Sequence, residues 1–141
     1  MRYIILVSHG EFASGLKNAT SMLIGSQKNL LCTGMLDGMG ADSFVENFRS
    51  LIKAITQEDQ IVLLADLAEG SPMTNALNTL SECGLMGNVI AIAGMNLPMV
   101  VTAAMLDEDL LDKEAVAQAI LEEAHNQLRT MQLDIGEDDE I

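Results

Sequence analysis

Four short apolar runs decide the fold class: YIILV at 3–7, LLCTGM at 30–35, IVLLAD at 61–66 and VIAIAG at 89–94. Runs that do not alternate with polar residues belong to strands covered on both faces. Each is followed by apolar residues at helical spacing. After the first, Phe12, Leu16, Ala19 and Leu23 predict a buried stripe ending near Gly25. After the second, a loop with Gly38 and Gly40 leads to Ser43, whose spacing to Glu46 fits a capping box; Phe44, Phe48, Leu51, Ile52 and Ile55 form the buried face. After the third, Ser71 and Pro72 supply an N-cap and a proline at the first helical position. Asn96 to Met105 makes a short helix behind the fourth. Strands alternating with helices predict an α/β fold, a doubly wound and mainly parallel sheet with helices on both faces.

A last helix over 113–127 is predicted to bury Val116, Ile120 and Ala124. In LRTMQLDI after it, Leu133 and Ile135 alternate as in an antiparallel edge strand, and the charged GEDDEI end reads as a solvated tail. At 141 residues the chain fits one domain, placed at 1–135 with an acidic tail at 136–141.

Charge removes several function classes. The formal net charge is −14, and residues 1–106 hold 5 of the 7 basic but only 9 of the 21 acidic side chains. Phosphate backbones and anionic lipid would repel such a chain, so no nucleic acid is expected as a partner and a basic protein fits better. Aromatics at 3% leave an aliphatic, methionine-rich core and little for stacking bases or sugars. Cys32 and Cys83 lack metal-ligand spacing and are expected as two buried thiols in a reducing compartment. No cofactor and no metal site is suggested. The apolar start is too short for a signal sequence, no run reaches membrane-spanning length, and a cytoplasmic protein is expected.

In a doubly wound sheet, chemistry gathers outside the carboxyl ends of the strands, where strand order reverses. Here those ends are Ser8-His9-Gly10, Asp66 with the loop AEGS, and Gly94-Met95-Asn96. If the first and third strands are neighbours, His9 and Asp66 face each other. A carboxylate that accepts the Nδ1 proton fixes the tautomer and leaves Nε2 nucleophilic. Backbone N–H groups at the following helix start, with the Ser71 hydroxyl, suit an anion arriving at Nε2. The combination describes a nucleophilic histidine with a phosphate seat, for which Gly10 and Gly70 are the further candidates.

LVSHGEFASGL, DLAEGSPMTNA at 66–76 and GMNLPMV at 94–100 resemble, in order and spacing, three signature stretches of the EIIA component of the mannose-family phosphoenolpyruvate-dependent sugar phosphotransferase system. The resemblance covers the first 100 residues and implies a phosphotransferase component with a phosphohistidine intermediate. It implies that His9 is phosphorylated at Nε2, that Asp66 orients its Nδ1 and that Ser71 helps hold the phosphoryl group. It further implies a cytoplasmic homodimer that takes phosphate from HPr and passes it to a IIB subunit, here a separate chain, serving a membrane IIC/IID transporter. By the same resemblance the C-terminal edge strand is swapped between subunits. Where Glu69 stands the family usually has glycine, so a negative charge enters the loop beside the phosphate.

Two rival readings use the same residues. A Ser71-His9-Asp66 hydrolase would place its serine outside a G-x-S-x-G elbow and before a proline that removes an oxyanion-hole N–H. The phosphocarrier subunit of a phosphoenolpyruvate-dependent dihydroxyacetone kinase shares fold and nucleophile, but its third-strand loop lacks the GSP pattern. His125, on the polar side of the last helix, reads as a solvated surface residue.

Overall fold

The computed structural model describes residues 1–133. Its elements run β1 (Arg2–His9), α1 (Phe12–Ile24), β2 (Leu30–Met35), α2 (Ala41–Leu51), β3 (Gln60–Ala65), α3 (Ser71–Glu82), a 3-10 turn (Met86–Asn88), β4 (Val89–Ala93), α4 (Leu97–Met105) and α5 (Lys113–Asn126). All strand pairs are parallel, in the order β2-β1-β3-β4. The chain leaves β1 toward β2 on one side and returns to β3 on the other, which makes the β1–β3 boundary the switch point.

Apolar residues on both faces of each strand explain why no alternation is visible in the sequence. Ile4 and Leu6 of β1 point to the face covered by α1, α4 and α5, where Met99, Val100, Val116, Ile120 and Ala124 complete one core. Ile5 and Val7 point the other way, against Phe44 and Phe48 of α2 and Met73, Ala76 and Leu80 of α3. Each fully buried Ile, Leu or Phe contributes about 2 kcal/mol of transfer free energy. The Phe44 and Phe48 rings stack with centroids 6.3 Å apart, the one aromatic pair in an otherwise aliphatic interior.

Arg2 is buried and ties three segments together. Its Nε donates to Gln60 Oε1 at 2.7 Å and its two terminal nitrogens donate to the carbonyls of Asp107 and Leu110. The start of β1 is thereby fixed to the start of β3 and to the loop before α5. Burial lowers the Arg2 pKa from its usual value, against the opposing influence of Glu108 and Asp107.

Several expectations need correction. In α1 the buried residues are Ala13 and Thr20, while Phe12 and Leu23 are exposed and Leu16 is half-buried. Apolar residues fall on more than one face of α1, and the face with Ala13 and Thr20 is the one buried. The Thr20 hydroxyl is satisfied within the helix by the Leu16 carbonyl at 2.8 Å. Ser43 does not cap α2, which begins at Ala41 behind an extended Gly40, and Ser71 does not cap α3, whose N-cap is Gly70. Ser71 is the first helical residue instead, with Pro72 second. Cys83 is exposed and only Cys32 is partly buried. Residues 128–133 form no strand within the single chain, and residues 134–141, with the rest of the expected edge strand and the acidic tail, lie outside the described residues. Among the described residues no helix is long and apolar enough to cross a membrane.

Candidate functional site

Parallel pairing sets Val7 opposite Ala65, so β1 and β3 leave the sheet side by side. His9 and Asp66, 57 positions apart in sequence, meet just beyond that pair. His9 Nδ1 lies 2.8 Å from Asp66 Oδ2, and the His9 backbone N–H donates to the same oxygen at 2.9 Å. The Leu67 N–H donates to Oδ1 at 2.9 Å. The carboxylate is thus gripped by the main chain on both oxygens and orients the imidazole rather than merely lying near it.

An ionised carboxylate is an acceptor only, so Nδ1 carries the proton and the Nε2 lone pair is left free. Burial alone would raise the Asp66 pKa. The bonds from the His9 N–H, the His9 ring and the Leu67 N–H outweigh it and hold the carboxyl below the ordinary aspartate range. The His9 side chain is 48% exposed and that of Asp66 only 15%. The orienting group is buried behind the reacting one.

The turn after β1 is built for this display. Gly10 has φ +56°, a conformation costly for residues with a Cβ, and its N–H donates to the Met35 carbonyl at 2.8 Å. That bond occupies the Gly10 amide and holds the turn, so the Gly10 N–H is not free to serve the phosphate seat. On the neighbouring strand a Cβ at Gly34 would lie 2.1 Å from the Gly10 carbonyl oxygen, which requires glycine there. Ser8, at the end of β1, is fully buried, and its Oγ accepts the Ala13 N–H at 2.8 Å. It supplies the side-chain cap for α1 that no residue next to the helix provides. Nothing in local spacing marks Ser8 for this; the signal is a hydroxyl five positions before the bonded amide, across a glycine turn.

Gly70 and Ser71 close the other side. A Cβ at Gly70 would lie 2.7 Å from His9 Cε1 and 3.5 Å from Nε2, so the free edge of the imidazole rests against the N-cap of α3. The first hydrogen bond of α3 runs from the Thr74 N–H to the Gly70 carbonyl at 3.1 Å. The N–H groups of Ser71 and Met73 precede it in the first turn, Pro72 having none, and as first-turn donors they have no partner within the helix. Ser71 is exposed there, and the ring nitrogens of His9 bond no hydroxyl among the described residues.

Cavities of about 720, 280 and 400 Å³ lie elsewhere, and none is lined by His9, Asp66 or Ser71. The surface around His9 is instead open. Phe12, Leu36 and Leu67, which follow the ends of β1, β2 and β3, are exposed apolar residues, and Glu11, Asp37 and Glu69 are exposed acids beside them. Gly94-Met95-Asn96 serves structure: the Met95 N–H donates to the Ala65 carbonyl at 3.0 Å, and Asn96 caps α4 by accepting from the Met99 N–H at 2.9 Å. His125 is exposed on α5.

Fold and site define a class: a doubly wound α/β protein that presents a carboxylate-oriented imidazole on an open surface, at the switch point and beside a helix N-terminus. The family described as PTS system fructose IIA component, of the EIIA-man type, matches residues 3–121, and the chain belongs to that family. It is therefore a mannose-family EIIA component of the sugar phosphotransferase system, a phosphocarrier of the transferase class.

The PTS system fructose-specific EIIA component of Bacillus subtilis is 29% identical over 111 residues, 79% of this chain and 74% of that one. The PTS system mannose-specific EIIAB component of Escherichia coli is 28% identical over 118 residues, 83% of this chain but only 36% of that longer protein. Among solved structures, the mannose/sorbose specific IIA subunit from Enterococcus faecalis superposes with TM-score 0.79 at 22% identity, covering 94% of this chain and 96% of the other. The PTS IIA protein associated with the fucose utilization operon of Streptococcus pneumoniae reaches TM-score 0.75 at 26% identity, with 92% of each chain covered.

The site carries a pH prediction. Because folding lowers the Asp66 pKa, its bonds stabilise the folded state above the unfolded value of about 4 and are lost as pH falls through the folded value. Urea unfolding should show wild type more stable than Asp66→Asn at pH 6, with the gap closing below about pH 4. Equal stability at pH 6 would contradict the hydrogen-bonded carboxylate.

Proposed function

We propose that His9 Nε2 accepts a phosphoryl group from phospho-HPr and passes it to a separate IIB subunit, which serves a membrane IIC/IID sugar transporter. The observation that carries this reading is the 2.8 Å contact between His9 Nδ1 and Asp66, which commits one ring nitrogen and leaves the other at an open surface. The bond from phosphorus to the donor breaks as the Nε2–P bond forms, and the reverse happens toward IIB. The Nδ1 proton stays on the ring throughout, and the Asp66 charge stabilises the imidazolium form. Transfer through a loose transition state asks mainly for alignment and charge stabilisation. The Ser71 and Met73 N–H groups, the Ser71 hydroxyl and the Gly70 approach provide a seat for the phosphoryl oxygens.

The open surroundings support protein partners over small molecules, since a metabolite acceptor calls for a concave pocket. Apolar Phe12, Leu36 and Leu67 beside acidic Glu11, Asp37 and Glu69 suit partners whose docking faces are apolar and basic. Relatives specific for fructose and mannose support a sugar acceptor chain over the dihydroxyacetone kinase reading. A hydrolase reading finds no support in a serine that does not bond His9.

The same reading places the protein in the cytoplasm as a homodimer, with 128–135 adding to the sheet of the other subunit. Leu128, Met131 and Leu133 are exposed in the single chain, and β4 is an open sheet edge. A chain ending at Asn126 should sediment as a monomer; a dimer would rule this segment out of assembly.

The decisive experiment supplies phosphoenolpyruvate, enzyme I and HPr. The protein should gain one acid-labile, base-stable phosphoryl group, and His9→Ala should lose it. Stopped-flow transfer should slow by roughly 10²- to 10⁴-fold in Asp66→Asn, as for orienting groups elsewhere. Ser71→Ala should lose about tenfold or less, one neutral hydrogen bond being worth about 1 kcal/mol. A group retained in folded His9→Ala would overturn the assignment.

A further inference from the structure

The amino end of the sheet, opposite His9, holds a cavity of about 720 Å³. It lies between α1, the loop into β2, the start of β1 and the segment after α4. Its walls gather cations in a chain with three times as many acids as bases. Arg2, Lys17, Lys28 and the N-terminal residue Met1 line it, with Glu108 as the one acidic residue of the lining.

These cations are not equivalent. Arg2 is committed to Gln60 and two carbonyls, and the N-terminal amine pairs with Asp59 at 3.0 Å. Lys17 and Lys28 form no ion pair among the described residues, although acids are plentiful. Two uncommitted ammonium groups at one concave, partly apolar wall raise the local concentration of anions there. Lysine binds phosphate as a compact charge with three donors.

The remaining lining narrows the ligand. No aromatic side chain is present to stack a base, whereas Ser21 and Ser26 offer hydroxyls and Glu108 accepts hydrogen bonds from hydroxyl groups. The volume matches ligands of metabolite size. We propose that this cavity binds a small phosphorylated polyol, its phosphate on Lys17 and Lys28 and its hydroxyls on Ser21, Ser26 and Glu108. This site is independent of the phosphocarrier reading, since it shares no residue with the His9 end.

The test is an amide NMR titration of the full chain with glucose 6-phosphate, inorganic phosphate and a hexa-aspartate peptide. Glucose 6-phosphate should give saturable shifts at Lys17, Ser21 and 26–29 with the His9 amide unmoved. It should bind more tightly than inorganic phosphate. Lys17→Gln/Lys28→Gln should weaken it at least about tenfold, the equivalent of 1.4 kcal/mol. Lys28→Gln alone, on an exposed loop that tolerates substitution, should weaken it measurably and guards against misfolding of the double variant. Absence of shifts at this end, unchanged affinity in both variants, or no advantage over inorganic phosphate would overturn the proposal. Tighter binding of the peptide would assign the cavity to an acidic protein segment and overturn it equally.

Discussion

Everything at the site depends on the parallel pairing of β1 with β3. A strand pair joined in any other order would leave His9 without the partly buried Asp66 carboxylate beside it. The ladder from Arg2 opposite Gln60 to Val7 opposite Ala65 leaves β1 running two residues past the end of β3, which brings His9 and Asp66 together just beyond the last pair. Three main-chain and ring donors then lock the Asp66 carboxylate. The ring orientation is therefore a property of the sheet, stabilised by both apolar cores, rather than of a mobile loop. The fold delivers a preset tautomer to the surface, and among the described residues no helix or loop covers it.

That openness has an energetic reading. A half-exposed imidazole keeps part of its hydration, and in the proposed reading a docked partner supplies the desolvation that accompanies phosphoryl transfer. Apolar residues at the ends of three successive strands form a shallow rim able to exclude water once covered. Acids interleaved with them, Glu69 included, favour a cationic face and repel free anionic metabolites. In the proposed reading Glu69 bears on partner choice, and the phosphoryl charge falls to the N–H groups of the first turn of α3.

Much of this was legible in the sequence because the sheet is buried on both faces: runs such as IVLLA have no plausible reading other than a covered strand. The strand ends then named His9 and Asp66, and the strand order confirmed that they meet. Less legible were features set by packing distance. The α1 face could not be chosen by hydrophobicity when Phe12, Leu16 and Leu23 compete with Ala13, and the sheet selects the small residue. Caps were misassigned at Ser43 and Ser71 because extended Gly40 and Gly70 end the loops earlier than the best capping side chains suggest. The bond of the Gly10 amide to Met35, which completes the β1–β2 ladder, is likewise not visible in the sequence. Ser8 was invisible as a cap, since a fully buried strand residue does not announce a bond across a turn.

The central claim is that Asp66 fixes the proton on Nδ1 so that phosphorus bonds to Nε2. A long-range proton–nitrogen NMR spectrum of the His9 ring, recorded before and after phosphorylation, tests it most directly. The account predicts the Nδ1–H tautomer in the free protein and phosphorus coupling to Nε2 afterwards. An Nε2–H tautomer, or phosphorus on Nδ1, would contradict it.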